Sequence, residues 1–208
     1  INKIFENHPP DIVIHLAGLK SVNDSIKYPK KYMYENLASA KTIISAMNKS
    51  KANKLIFSSS ATVYGKPLHL PISEKHSTRP LHAYGKSKLA IEKIINQVCK
   101  KNKKFAAISL RYFNPVGIDD SGLLFDNPLK PTNLFPNIML SIKKKKKLNV
   151  WGSDYQTKDG TPIRDYIHIL DLVDAHIKSI KFLLNTNGCH VFNVGTGKGY
   201  TVLEIIKN

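Results

Sequence analysis

The sequence is poor in cysteine: its 208 residues include two, Cys99 and Cys189. Two thiols so far apart in the chain are too few for a disulfide framework, and they lack the spacing of metal ligands. We therefore expect buried or unreactive thiols and no metal site.

Long apolar runs are also missing. No stretch of the chain approaches the roughly 18 apolar residues that a membrane-spanning helix requires. The first residues, INKIFENHPPD, contain neither the basic nor the apolar region of a signal peptide. These features lead us to expect a cytoplasmic protein without a membrane partner.

Acidic residues are scarce, with 15 Asp and Glu against 32 Lys and Arg, and the formal net charge is +17. A strongly basic balance can mark a nucleic-acid-binding surface. Here the lysines form a simple run at residues 143–147 and are otherwise scattered, without interleaved aromatic residues or a recognisable module. We therefore expect a solvated basic surface and no nucleic-acid partner.

What the sequence does contain is an alternation of strand-like and helix-like segments. Short apolar runs at residues 11–18, 54–60 and 105–114 are typical of buried parallel strands. Residues 30–49, and a second segment beginning near Ala83, carry apolar side chains at helical spacing. This alternation predicts an α/β fold with a doubly wound parallel sheet. After Asn114, a segment rich in Pro, Gly, Asp and Asn predicts a loop-rich boundary or lid.

Two polar segments stand where chemistry is expected: SSSATVYG at residues 58–65 and YGKSK at residues 84–88. Ligands of an open α/β sheet bind at the carboxyl ends of its strands, and SSSATVYG follows such an end. Tyr84 and Lys88 are four residues apart on a predicted helix and therefore share one face.

Tyr84 is a candidate general base. Lowering a phenol pKa from 10 to near neutrality takes roughly 4 kcal/mol. An ammonium about 6 Å away, at an effective dielectric near 20, supplies roughly 3 kcal/mol. Lys88 could thus provide most of the shift and an oxidised nicotinamide the remainder, while Ser60 holds the alcohol whose proton is removed. A tyrosine and a lysine four residues apart also occur often by chance. The alternative at this point is therefore a surface tyrosine with a nearby lysine and no catalytic role.

Further motifs extend the pattern along essentially the whole chain. They are VIHLAGLKSVNDS, NLASAKTIISAM, FSSSATVYG, YGKSKLAIE, LRYFNPVG, NLFPNI, DGTPIRDYIHILDLVDAH and FNVGTGKGYTVLE. In this order they resemble the extended short-chain dehydrogenase/reductases, and most closely the sugar-nucleotide 4-epimerases of that family. The resemblance implies a Rossmann-like sheet that is incomplete at its N-terminus, with part of a smaller α/β substrate domain.

The implied reaction is inversion at C4 of a UDP-hexose, which interconverts UDP-glucose and UDP-galactose in galactose metabolism. Hydride leaves C4 for tightly bound NAD as Tyr84 takes the hydroxyl proton, and it returns to the other face of a transient 4-keto sugar. Epimerases of UDP-N-acetylhexosamine or UDP-glucuronate and 4,6-dehydratases are the alternatives. Dehydratases of this type carry an acidic pair where Ala61 and Thr62 stand, which favours an epimerase.

The resemblance also assigns roles to individual residues. It implies catalytic roles for Ser60, Tyr84 and Lys88. The implied cofactor contacts are Leu16, Ala17, Gly18, Lys20, Asn36, Ser58, Tyr84, Lys88 and Phe113. The implied substrate contacts are Ser60, Ala61, Thr62, Tyr84, Asn114, Asn133, Leu134, Val150, Trp151 and Arg164. The guanidinium of Arg164 suits a diphosphate, although a surface or domain-interface salt bridge is its alternative role.

At the level of domains, the resemblance implies part of a dinucleotide-binding domain at residues 1–118, with residues 165–195 as a candidate segment returning to it. Residues 119–208 would be part of a UDP-sugar-binding domain. A homodimer is implied through the helices at residues 30–49 and 83–100.

The glycine fingerprint G-x-x-G-x-x-G of dinucleotide-binding domains is absent from the 208 residues, as is the acidic residue that binds the adenosine ribose. GTGKG at residues 195–199 has the wrong spacing for that fingerprint and for a P-loop, so it predicts a turn. We therefore expect a fragment that lacks the N-terminal glycine motif and the C-terminal end. Alone it should neither bind NAD tightly nor turn over.

Overall fold

The computed structural model describes residues 1–123 and 131–207, and these form two compact units. The first unit consists of Ile1–Tyr112 and Asp174–Val194. The second consists of Phe113–Val173 and the residues from Gly195 onward. The loop-rich segment predicted after Asn114 lies partly outside the described residues.

A parallel sheet forms the centre of the first unit. Its described strands, in spatial order, are β1 (Val13–His15), β2 (Lys54–Ser60), β3 (Ala106–Tyr112) and β6 (Gly188–Val194). The first six residues of β3 are buried, as expected for a strand covered on both faces. The predicted parallel α/β sheet is therefore confirmed, although β1 is shorter than the apolar run that predicts it.

The helices of this unit are α1 (Asn2–Asn7), α2 (Val22–Lys27), α3 (Pro29–Lys49), α4 (Ala83–Lys101) and the part of α6 (Ile169–Asn185) that follows Val173. The helix α3 begins with a proline in its first turn, where the missing N–H costs nothing. Buried apolar residues of α3 and α4 pack with those of β2 in one core: Ala40, Ile44, Met47, Leu55, Phe57, Ile91 and Ile95. The short helix α2 is not predicted from the sequence.

The two cysteines meet in the first unit despite their distance in the chain. Cys99, in the last turns of α4, is buried, and Cys189 lies in β6 and is half-buried. Their thiols are close enough to affect each other, so that the pKa of Cys99 is raised and that of Cys189 is lowered. Among residues 1–123 and 131–207, no cluster of side chains could hold a metal ion, and no described helix could cross a membrane.

The second unit is built on a smaller sheet. Its described strands are β4 (Asn114–Val116), β5 (Ile163–His168) and β7 (Gly199–Thr201), with β4 parallel and β7 antiparallel to β5. The helices α5 (Leu134–Lys144) and α7 (Val202–Lys207) belong to the same unit.

The segment GTGKG forms a turn, as predicted, and the turn binds a carboxylate of the protein itself. Asp165 accepts hydrogen bonds from the backbone N–H and the hydroxyl of Thr196, at 2.9 and 2.7 Å, and from Gly197 N at 2.8 Å. Gly197 has a φ of 76°, which glycine adopts at no steric cost. Because Asp165 takes these donors, the turn is not arranged to bind phosphate.

Candidate active site

Ser60 ends strand β2 and begins a single 3-10 turn, Ala61–Val63. Its hydroxyl oxygen accepts hydrogen bonds from the backbone N–H of Thr62 at 3.2 Å and from the Thr62 hydroxyl at 3.0 Å. These bonds cap the turn in the way that a serine caps a helix. The Ser60 side chain also lies close enough to the phenol of Tyr84 to lower its pKa, so two of the predicted catalytic residues are neighbours.

The first turn of α4 carries Tyr84 close to this 3-10 turn because Gly85 has no side chain. A Cβ atom at Gly85 would lie 2.7 Å from the carbonyl oxygen of Thr62 and 3.0 Å from the Cβ of Pro80. Any larger residue would push the helix away from the turn. The glycine therefore sets the distance between Tyr84 and Ser60.

Lys88 lies one helical turn further along α4. Its Nζ donates to the carbonyl oxygen of Ser58 at 2.7 Å and lies 5.7 Å from the ring centroid of Tyr84 and 5.0 Å from that of Phe57. Only 4% of its surface is exposed. Because burial penalises the ammonium, the pKa of Lys88 is lowered to about 8.

The pKa of Tyr84 is raised above its ordinary value in this chain, and the prediction that Lys88 lowers it stays a prediction. Burial is the largest cause, because it removes the phenolate from water, and the nearby Tyr32 adds to the rise. The neighbouring Ser60 side chain acts in the opposite direction. The Coulomb argument from sequence spacing left out the desolvation of the phenol, which is the largest influence on its pKa in this chain.

The predicted cofactor loop, Leu16, Ala17, Gly18 and Lys20, is exposed at the end of β1. Asn36 holds this loop: its Oδ1 accepts from Leu19 N at 2.8 Å, and its Nδ2 donates to Leu19 O at 3.1 Å. The same Nδ2 reaches Ser87 Oγ on α4 at 3.0 Å. A Cβ at Gly18 would lie 3.2 Å from Asn36 Oδ1 and 3.8 Å from Lys88 Nζ. Asn36 thus ties the loop to the helix that carries Tyr84 and Lys88.

The remaining predicted site residues belong to the second unit. Phe113 packs against Gly195, and Asn114 donates its Nδ2 to the carbonyl oxygen of Asp165 at 2.7 Å. Asn133 and Leu134 are the N-cap and first residue of α5. Val150, Trp151 and Arg164 are exposed, with Trp151 at 83%, and Arg164 Nη1 donates to Ile163 O.

Comparison with known protein families identifies one family along almost the whole chain. The model of the NAD dependent epimerase/dehydratase family matches residues 1–195. The chain belongs to this family.

Individual members of the family are similar over the full chain. The UDP-glucose 4-epimerase of Drosophila melanogaster is 42% identical, with 100% of this chain and 61% of the relative covered. That of Haemophilus influenzae is 44% identical, with 100% of this chain and 62% of the relative covered. The crystal structure of the Bifidobacterium longum UDP-glucose 4-epimerase with NAD⁺ and UDP matches with a TM-score of 0.93 and 43% identity, covering 99% of this chain and 62% of that chain. The chain thus spans about three fifths of the length of these relatives.

The structure of this epimerase-family chain also contains a buried polar network that the sequence did not lead us to predict. Glu92 and Arg111 form an ion pair of 2.6 Å with side chains only 7% exposed. Ser59 donates to Glu92, and Arg111 donates to the Tyr64 hydroxyl, which in turn donates to Asn193. An arginine inside an otherwise apolar strand, and a glutamate four residues after Lys88, are the signals that could have revealed the pair.

A second half-buried tyrosine lies beside the site. The Tyr112 hydroxyl hydrogen-bonds to His176 Nε2 at 2.7 Å. Burial raises the pKa of Tyr112 to about 12, with the neighbouring Tyr84 contributing and a hydrogen bond with Ser58 opposing. Tyr112 therefore stays protonated near neutral pH. The neighbouring Lys88, 5.7 Å from the ring centroid of Tyr84, is what makes Tyr84 the candidate base.

Proposed function

We propose that this chain carries the catalytic part of an enzyme that interconverts UDP-glucose and UDP-galactose by inversion at C4 through a transient 4-keto sugar. The observation that carries the proposal is the cluster of Ser60, Tyr84 and Lys88 at the carboxyl end of β2. A phenol beside a serine hydroxyl, with an ammonium 5.7 Å from its ring centroid, is suited to removing the proton of an alcohol.

NAD is the cofactor we propose, and the residues present fit it. The exposed loop at residues 16–20 follows a strand end and includes a glycine that permits close approach of the backbone. Ser58, Lys88 and the hydroxyl of Tyr84 lie beside the same strand ends and provide polar groups for a ribose. When bound, NAD⁺ accepts the hydride from C4 and adds a positive charge near the phenol.

In this mechanism Ser60 and Tyr84 hold the 4-hydroxyl of the sugar, and Tyr84 removes its proton. Lys88 favours the phenolate by its positive charge. Burial raises the pKa of Tyr84 in the chain itself, so the positive charges of Lys88 and of an oxidised nicotinamide would both help the phenol to give up its proton. After the 4-keto sugar turns over in the pocket, Tyr84 returns the proton to the new 4-hydroxyl.

The residues directly after Ser60 favour epimerisation over 4,6-dehydration. Elimination of water needs an acid and a base, whereas this turn contains Ala61 and Thr62, and the Thr62 hydroxyl donates to Ser60. Epimerases of UDP-N-acetylhexosamine or UDP-glucuronate keep the same catalytic groups and remain the alternatives. The names of the relatives favour UDP-glucose.

We propose that residues 1–118, with 165–195, bind NAD and that residues 119–208 bind the UDP-sugar. The proposed sugar-nucleotide contacts in 119–208 are Asn133, Leu134, Val150, Trp151 and Arg164, and Asn114 adds a contact from the first segment. An exposed guanidinium and an exposed indole are suited to a diphosphate and a planar base. We propose that the enzyme is cytoplasmic and has neither a nucleic-acid nor a membrane partner. Cell fractionation tests its location.

A homodimer through α3 and α4 is part of the proposal. These helices line a groove of about 840 Å³ whose apolar residues include Ile26, Met33, Tyr34, Leu37 and Leu81. Three of them, Ile26, Tyr34 and Leu81, are more than half exposed, at 58%, 73% and 61%. An exposed apolar patch of this kind is typical of a surface covered by a partner.

The deciding experiment is an activity assay on a chimera in which these residues replace the matching segment of the Haemophilus influenzae relative. With NAD and UDP-galactose, we expect UDP-glucose as the product. The Tyr84→Phe chimera should lose about 10²- to 10⁴-fold in turnover, the usual contribution of a general acid or base, while UDP affinity stays nearly unchanged. The 208 residues alone, which contain no glycine fingerprint, should bind NAD weakly and should not turn over.

Three results would contradict the proposal. A 4-keto-6-deoxy product would indicate a dehydratase, and unchanged turnover in the Tyr84→Phe chimera would remove Tyr84 from the mechanism. Conversion of UDP-N-acetylgalactosamine or UDP-galacturonate in preference to UDP-galactose would replace the substrate while keeping the reaction type.

A further inference from the structure

Helix α4 contacts three consecutive residues at the end of β2. Lys88 donates to the carbonyl oxygen of Ser58, and Glu92 accepts from the Ser59 hydroxyl at 2.5 Å. Tyr84 neighbours Ser60, whose side chain lowers its pKa, and the adjacent Gly85 lies against the carbonyl oxygen of Thr62. Residues four apart on a helix share a face, so these three contacts form one stripe along α4. Tyr84 and Lys88 are proposed catalytic residues. Glu92, the third residue of the stripe, has no role in the proposed reaction.

The carboxylate of Glu92 is held from a second direction. Arg111, which pairs with Ser59 in the register of β2 and β3, donates Nε to Oε1 at 3.0 Å and Nη2 to Oε2 at 2.6 Å. Such a two-point contact between a guanidinium and a carboxylate fixes both position and orientation. Because both side chains are buried, water does not compete for these bonds.

The same guanidinium holds the other side of Ser60. Arg111 Nη1 donates to the Tyr64 hydroxyl at 2.9 Å, and Tyr64 follows the 3-10 turn directly. The ion pair is therefore bonded to the residue before Ser60 and to the residue that ends the turn after it. These two anchored residues flank Ser60 and the turn that follows it.

We propose that Glu92 and Arg111 are positioning residues that fix the Ser60 hydroxyl against the phenol of Tyr84. Their effect on turnover rests on the proposed function, whereas their effect on the Ser60–Tyr84 contact does not. Neither residue touches the reacting atoms; they act through Ser59 and Tyr64. A merely structural ion pair would change stability and leave the acidity of Tyr84 alone, and this difference separates the two roles.

The test uses the 208-residue chain with a fluorinated tyrosine at position 84, whose more acidic phenol is titrated by ¹⁹F NMR. Ser60→Ala should lower the phenolate-to-phenol ratio at fixed pH by about three- to tenfold, the value of one hydrogen bond. Ser59→Ala, which removes the link to Glu92 but keeps the ion pair, should lower the ratio in the same direction. The double variant should lower it no further than Ser60→Ala alone.

Ser109→Ala is the matched control. Ser109 lies on the neighbouring strand β3, is as buried as Ser59, and its hydroxyl has no hydrogen-bond partner among the described residues. It should leave the titration of residue 84 unchanged. If Ser59→Ala behaves like Ser109→Ala, the positioning role is wrong. Circular dichroism and urea unfolding show whether each variant is folded during the titration.

A second measurement connects the contact to turnover. In the chimera, Ser59→Ala and Glu92→Gln should lower kcat with little change in KM, because the substrate is still bound but its 4-hydroxyl is less well aligned. A chimera without substitutions that shows no turnover would contradict the proposed function, yet the ¹⁹F titration would still decide the positioning role. A normal kcat in a folded Ser59→Ala chimera would contradict that role.

Discussion

At the scale of a single residue, the buried ammonium of Lys88 lowers the stability of the fold. Its ammonium is buried, and its contacts among the described residues are a carbonyl oxygen and two aromatic rings rather than a carboxylate. Burying a cation without a paired anion is unfavourable, and the lowered pKa of about 8 expresses this cost. The same charge is what the proposed mechanism needs beside Tyr84.

We predict that Lys88→Met stabilises the chain at pH 7 by about 1–2 kcal/mol, the gain from removing the buried charge less the hydrogen bond to Ser58. Below pH 8 both folded and unfolded states carry the proton, and the folded state bears the full cost. As the pH rises from 8 toward 10.5, the unfolded state binds more protons, so the unsubstituted chain becomes more stable relative to the variant. That relative gain should reach about 2 kcal/mol between pH 7.5 and 9.5.

Urea unfolding of both proteins at several pH values measures this difference. Lys86→Met provides the control, because Lys86 is on the same helix but exposed, and it should change stability by no more than about 0.5 kcal/mol at any pH. A Lys88→Met variant that is less stable at pH 7 would show that the ammonium stabilises the fold.

At the scale of an element, α4 combines a structural face with a functional one. Its apolar residues Ile91, Ile95 and Cys99 pack into the core of the first unit. Tyr84, Lys88 and Glu92 point instead to the end of β2. The helix can approach the 3-10 turn closely only because Gly85 lies at the contact with Thr62.

Gly85→Ala should destabilise the chain by about 1–3 kcal/mol, although alanine is the better helix former. The added Cβ would lie 2.7 Å from a backbone carbonyl oxygen, so α4 or the turn must move. The displacement should also weaken the Ser60–Tyr84 contact and lower the turnover of the chimera. Urea unfolding and the epimerase assay measure the two effects.

Lys86→Ala serves as the comparison for this variant, because it changes the adjacent, exposed residue in the same helical turn. It should be neutral or slightly stabilising, as expected from helix propensity alone. A Gly85→Ala variant that is more stable than the unsubstituted chain would mean that the turn yields easily and that the glycine does not set the contact.

At the scale of the whole molecule, the groove lined by α3 and α4 predicts self-association. Tyr34→Glu would place a charge in this apolar groove, and burying an unpaired carboxylate in a dimer interface is costly. We expect a dimer at least about tenfold weaker, which corresponds to a loss of about 1.4 kcal/mol or more. Sedimentation equilibrium over a range of concentrations measures this change.

Leu68→Glu is the matched control for the dimer, since Leu68 is 70% exposed, close to the 73% of Tyr34, and lies outside the groove. It should leave the dimer unchanged. A monomeric unsubstituted chain, or equal effects of the two substitutions, would contradict an interface at this groove.

The sequence alone was sufficient for features that depend on local pattern. Helix α4 and strand β2 lie where apolar spacing predicts them, because side-chain periodicity reports which face of an element is buried. The family was identified for a related reason, since its motifs are short contiguous segments. The six-residue helix α2 was missed because so short a segment shows little periodicity.

Pairings between distant segments were decided by the tertiary structure. Glu92 meets Arg111, and Cys99 meets Cys189, only because the parallel sheet places α4, β3 and β6 side by side. The pKa of Tyr84 is also decided by the tertiary structure. Sequence spacing correctly indicated a lysine near the phenol, but burial depends on every segment packed around the ring, and it raises the pKa that the lysine alone would lower.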